Sequence, residues 1–140
     1  MLLRINVWIS FRGLQDSRRF KGVSFPYIGK CPTTRKDAEF GCILDVYDEI
    51  INIYEETIKE GFSNLGEALH TQISYFADYE LLVDSKMQNR IKEFQFCKTF
   101  SCPPYPSLSQ TPAEIIDDFM IIEEEYKSCI AKQQKEQKDA

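Results

Sequence analysis

The sequence is poor in the residues on which most enzyme chemistry is built. It has one histidine in 140 residues. Glu67-Ala68-Leu69-His70 is a single E-x-x-H pair, and a di-iron bundle needs two such pairs plus two further glutamates. One copy cannot supply them, so His70 reads as a surface residue. Neither a Walker-type glycine loop nor G-x-G-x-x-G is present, which excludes the common phosphate-cradling turns. Long hydrophobic runs are missing too. The apolar start MLLRINVWISF is broken by Arg4 and Asn6, is too short to span a bilayer and has no small-residue cleavage site. Internal repeats and long linkers are also lacking. The five cysteines, Cys31, Cys42, Cys97, Cys102 and Cys129, are odd in number. Without a leader they are expected as reduced thiols of a cytoplasmic protein, most of them small core residues.

Metal chemistry finds little support. Cys97 and Cys102 with Cys31 and His70 would make four zinc ligands, but the CKTFSC spacing is one residue longer than usual and the other two are scattered. Asp45, Asp48 and Glu49 line one predicted helix, and Asp117, Asp118, Glu123, Glu124 and Glu125 line another. Facing carboxylates of this kind hold magnesium in some all-helical hydrolases. No complete E-x-x-E and E-x-x-D pair is found, and solvated helix faces explain these acids better. The expectation is a non-enzyme with neither cofactor nor metal.

What the chain does have is the composition of an ordinary globular domain, 43% hydrophobic and 28% charged. Its length suits one domain with one core. Charge is unevenly spread. Residues 1–36 hold eight Lys/Arg against Asp16 alone, and the remainder holds nine against twenty-one acids. The net charge of -5 makes nucleic acid an unfavourable partner, whereas the polarity suits a protein partner or head-to-tail self-association.

The expected fold is mainly α: a compact bundle of about four helices behind an irregular, basic N-terminal segment holding a short strand or helix. Leu3, Ile5, Val7, Ile9 and Phe11 alternate like a strand, but no clear strand partner follows, which favours a helix packing Leu2, Ile5, Trp8 and Ile9. Residues 12–33 read as a glycine- and proline-punctuated loop laid on the helices. Thr34 and Asp37 are placed to open a helix carrying Phe40, Ile43, Leu44, Tyr47, Ile50, Ile51, Tyr54 and Ile58, with Gly61 as its stop. Asn64 and Glu67 resemble a capping box ahead of Leu65, Leu69, Ile73 and Phe76. A further helix begins near Asp84 or Ser85 and carries Met87, Ile91 and Phe94. Thr111-Pro112-Ala113-Glu114 starts the last one at Pro112. Residues 1–132 form the domain, and the charged tail 133–140 is expected to fray.

Four of the six prolines fall within Cys102–Pro112. They read as a stiff connector that aims the last helix, with Tyr105 packed inward, or as a docking surface of the polyproline type. The stretch CPPYPSLSQTPAEIIDDFMIIEEE resembles small tail-region proteins of tailed bacteriophages, in which a P-P-Y-P-G-x-L-like corner precedes a Q-P- or T-P-started helix. Cys102, Pro103, Pro104, Tyr105, Pro106, Leu108, Pro112, Asp118 and Phe119 match, and Ser107 stands where glycine is expected. The resemblance implies a helical, cytoplasmic tail-assembly chaperone that coats the long tape-measure protein and self-associates. Phe100, Pro103, Pro104, Tyr105 and Pro106 are then the expected protein-binding patch. A small phage-encoded inhibitor of a host enzyme or defence complex is the alternative, with a metal-dependent hydrolase behind it.

Overall fold

The computed structural model describes residues 1–13, 20–61 and 64–139. The chain is mainly helical. Helix α1 spans Leu2–Arg12 and is followed by a hairpin of β1 (Tyr27–Lys30) and β2 (Asp37–Phe40). Then come α2 (Ile43–Lys59), α3 (Leu65–Gln72), α4 (Ser85–Thr99) and α5 (Ala113–Asp139). Two 3-10 turns, Ile73–Tyr75 and Tyr79–Leu82, join α3 to α4. Five α-helices are therefore present among the described residues, rather than about four. None of them is long and apolar enough to cross a membrane.

The N-terminal segment is helical and forms the axis of the molecule. Leu3, Ile5, Asn6, Val7, Trp8 and Ile9 are all buried. A helix covered on all sides loses its amphipathic signature, and that is why the same residues also read as a strand. Ile5 and Ile9 enter one apolar cluster with Val46, Ile50 and Ile53 of α2, Leu69 of α3 and Phe76 and Tyr79 beyond it. Leu3 and Val7 enter a second with Ile91 and Phe94 of α4 and Ile122 of α5. Buried polar groups on α1 are matched. Asn6 donates through Nδ2 to the carbonyls of Leu2 (2.9 Å) and Leu82 (3.0 Å), and its Oδ1 accepts from Asp84 N and Gln88 Nε2. Trp8 Nε1 donates to Glu125 Oε1 at 2.9 Å, and Arg4 pairs with Glu125 Oε2 at 2.7 Å.

The hairpin corrects the reading of residues 34–41. Thr34 opens no helix; β2 pairs antiparallel with β1, Tyr27 opposite Phe40 and Lys30 opposite Asp37. Phe40 fitted the helical stripe by phase. It instead lies between the rings of Tyr27 and Phe76, with centroids 5.5 and 5.6 Å away. Part of the expected loop 12–33 is thus strand, and its residues 14–19 lie outside the described ones. α2 begins at Ile43, seven residues after Lys36 where the loop ends its basic run, and Asp45 Oδ2 accepts from Gly41 N at 2.7 Å. Glu49, buried on α2, accepts from the Thr33 amide and hydroxyl (3.3 and 2.6 Å) and so fastens the hairpin to the helix.

Helix ends follow the sequence in part. Gly61 adopts φ +79° after α2, the left-handed conformation that glycine adopts cheaply. Asp84 caps α4 by accepting from Met87 N. Asn64 precedes α3 but makes no side-chain cap bond, so no capping box forms. Glu67 instead pairs with Lys132 of α5 at 3.3 Å. α3 comes close to α1: a Cβ on Gly66 would sit 2.3 Å from Glu125 Oε1 and 2.4 Å from Trp8 Nε1. α5 starts at Ala113, one residue later than expected, because the Pro112 carbonyl accepts from Ile115 and Ile116. Thr111 does not cap; its hydroxyl donates back to the Ser107 carbonyl. The helix runs on to Asp139, and Glu136 in the expected tail pairs with Arg12 at 2.6 Å. Residues 133–139 are therefore helical, and residue 140 lies outside the described ones.

Candidate functional site

The proline-rich segment 100–112 is a return strap. Contacts advance in the same direction along α4 and α5: Arg90 faces Asp118, Phe94 faces Phe119 and Tyr126, and Lys98 faces Glu123. The two helices therefore run roughly parallel. After Thr99 the chain must travel back along α4 before α5 can begin. A helix of fifteen residues is about 22 Å long, and Pro103, Pro104 and Pro106 hold the chain extended for that return. The reversal uses Ser101 at φ +51° and a bond from Cys102 N to the Cys97 carbonyl at 3.0 Å, the six-to-one closure of a helix C-terminus. At the far end Ser107–Gln110 turn through bonds from Gln110 N and Thr111 N to the carbonyls of Ser107 and Leu108. Ser107 does not have positive φ, so this turn does not require glycine there.

The strap leaves an open depression on each side. Towards α4, a cavity of about 1000 Å³ is lined by Phe96, Cys97, Cys102, Pro103, Pro104 and Tyr105, with charged Arg90, Lys92 and Glu93 opposite. Towards α5, one of about 460 Å³ is almost wholly apolar, walled by Pro103, Pro104, Pro106, Leu108, Ile115, Ile116, Phe119 and Met120. Leu108 is 76% and Met120 69% exposed. Phe100 is also exposed and packs its ring on Phe96 at 4.8 Å.

Of the residues expected to bind protein, Pro103 and Pro104 belong to both depressions, Tyr105 to the first and Pro106 to the second. Phe100 stands at the end of α4. Tyr105 is exposed rather than packed inward. Phe96, Leu108, Ile115, Phe119 and Met120 were not anticipated. Their signal was in the sequence for Met120, which falls outside the stripe of Ile115, Ile116, Phe119 and Ile122 that α5 turns towards its neighbours. For Phe96 and Leu108 it needed the strap's path.

The catalytic and metal candidates stay apart. Cys31 lies in the first core beside Glu49, and burial, then that carboxylate, pushes its thiol up to about 11. Cys129 is likewise pushed up to about 12, chiefly by burial. Cys97 and Cys102 are neighbours at the end of α4, and burial first raises the Cys97 thiol. All five cysteines are thiols. His70 is buried, not on the surface: Nε2 lies 3.1 Å from the Gly13 carbonyl, and the ring packs on Trp8 and Tyr79. Burial lowers its pKa, and the charges of Lys132 and Arg12 add to this. The Tyr79 hydroxyl donates to the His70 carbonyl. Nor are all the carboxylates solvated, since Glu49 and Glu125 are buried structural acceptors. Among the described residues no group of three or more His, Cys, Asp or Glu is placed to hold a metal ion.

No protein-family model matches the chain, and no curated protein or solved structure does.

Proposed function

We propose that the protein is a non-enzymatic protein-binding factor that receives an apolar segment of a helical partner along the strap. The observation that carries this reading is the apolar depression between the strap and α5, with Leu108 and Met120 standing exposed at its border. Isolated surface leucines are common, but a continuous apolar groove between two rigid walls is the usual form of a helix-binding site. Prolines reduce the ordering entropy that such a wall would otherwise lose on binding. The particular partner rests on the sequence resemblance of residues 102–125. By that reading it is the tape-measure protein of a tailed bacteriophage, and the factor is chaperone-like, acts during tail assembly in the host cytoplasm and covers its partner in several copies.

Co-expression with the tape-measure protein of the same genome, followed by affinity purification and size-exclusion chromatography, tests this. The expected result is a stable complex that Leu108→Asp and Met120→Asp each disrupt while leaving the thermal unfolding of the isolated protein in place. A soluble monomer that never co-elutes with the tape-measure protein overturns the reading.

A further inference from the structure

A second apolar surface lies on α2, in the part of the molecule built on the other core cluster. Leu44, Ile51 and Ile58 are 63, 39 and 51% exposed. They are spaced seven residues apart, and Tyr47 and Tyr54 lie half-buried between them. Leu-x-x-Tyr-x-x-x-Ile-x-x-Tyr-x-x-x-Ile is the spacing of a coiled-coil seam, with Leu44, Ile51 and Ile58 at a and the tyrosines at d. α2 packs on α3 and β2 by a different face, that of Val46, Glu49, Ile50, Ile53 and Thr57. Tyr47 and Tyr54 also pack against the core cluster, so the seam runs along the edge of the packed face, with Leu44, Ile51 and Ile58 standing outermost.

We propose that this flank is a docking surface for an amphipathic helix of another protein, one whose edge facing Asp48 and Glu55 is basic. The flanking positions of the seam select this occupant. On the inner side the g positions are Ile50 and Thr57, which are buried in the protein's own core. On the outer side the e positions are Asp48 and Glu55, both exposed acids. A second copy of α2 packed antiparallel would set these acids against themselves, and like charges across such a seam are destabilising. Packed parallel, it would need the g positions, which are covered. Lysine or arginine at the matching edge of a different helix satisfies both acids instead.

Seventeen residues make about 25 Å of helix, long enough to seat one helix of three heptads or fewer. The half-buried tyrosines give such a site an apolar wall with a polar edge. Because the strap is built on α4 and α5, this surface stands independently of the function proposed above. The molecule could hold two partners at once, one on each side of α1.

Two synthetic three-heptad peptides provide the probe, both with leucine at a and d. One carries lysine and the other glutamate at e and g. Binding to the full chain is followed by fluorescence anisotropy, and its place by amide chemical shifts. The lysine peptide is expected to bind at least tenfold more tightly than the glutamate peptide, with shifts centred on α2. Ile51→Ser should weaken it about tenfold, and joint Asp48→Lys and Glu55→Lys should reverse the preference. All three positions are exposed, so unchanged thermal unfolding of these variants checks that the fold is intact. Leu108→Asp at the strap should leave this binding unchanged. Equal affinity for both peptides, or shifts that avoid α2, overturns the proposal. So does a dimer of the protein that Ile51→Asp dissociates.

Discussion

Glu125 is the side chain on which three elements converge. It lies on α5, accepts from Trp8 and Arg4 of α1, and presses against Gly66 of α3. The carboxylate is nearly excluded from water, so removing one member of its pair strands the other charge. Arg4→Met alone is expected to lower unfolding free energy by about 3 kcal/mol. The double variant Arg4→Met with Glu125→Leu should lose less than the two single losses together, as read by urea denaturation in a double-mutant cycle. Additive losses would mean that the pair carries no coupling. His70 makes a second prediction. Burial lowers its folded pKa below the ordinary 6.5, so below about 6.5 the unfolded chain takes up a proton that the folded one resists. Stability is therefore complete above that pH and falls as pH drops through it towards the folded pKa. The melting temperature should decline between pH 7 and 5.5, and His70→Gln should flatten that decline. Equal slopes in the two proteins would show that this imidazole does not contribute. Neither role was legible from the sequence. A lone histidine and a run of three glutamates look the same whether solvated or buried, and what covers both is α1, 62 residues from His70 to Trp8 and 117 from Glu125 to Trp8.

At the scale of elements, the clearest signals were local ones. Asp84 at the start of α4 and Gly61 after α2 act within one turn, and the structure uses both as expected. The hairpin failed as a sequence reading because Phe40 happens to fall in phase with Ile43 and Tyr47, extending a true helical stripe backwards by one false turn. α1 was ambiguous because being covered on all sides removes the very periodicity that identifies a helix. The proline strap was legible as stiff, but not as a return path, since direction depends on α4 and α5 running roughly parallel. Its stiffness has a measurable consequence. Pro103→Ala and Pro104→Ala each release conformational freedom mainly in the unfolded chain. Each should therefore cost about 0.5–1 kcal/mol without changing the denaturant slope. A loss well beyond about 2 kcal/mol would instead identify those rings as packing residues.

For the whole molecule, the governing fact is that one short helix belongs to both apolar clusters. Leu3 and Val7 face one and Ile5 and Ile9 the other, so the halves share a wall. The charge imbalance visible in the sequence is resolved across this arrangement. Basic Arg4 and Arg12 of α1 pair with acids of α5 at Glu124, Glu125 and Glu136, and part of the apparent polarity is spent internally instead of being offered to a partner. Sequence alone reports charges by position along the chain, whereas the pairing depends on which helices end up side by side. The same placement governs the birth of the protein. Arg4 finds Glu124 at a separation of 120 residues. At ordinary rates of synthesis the first helix therefore leaves the ribosome on the order of ten seconds before its cover is made. In that interval the side of α1 that faces α5 lacks its cover, and a newborn chain must keep it from sticking to its neighbours until α5 arrives.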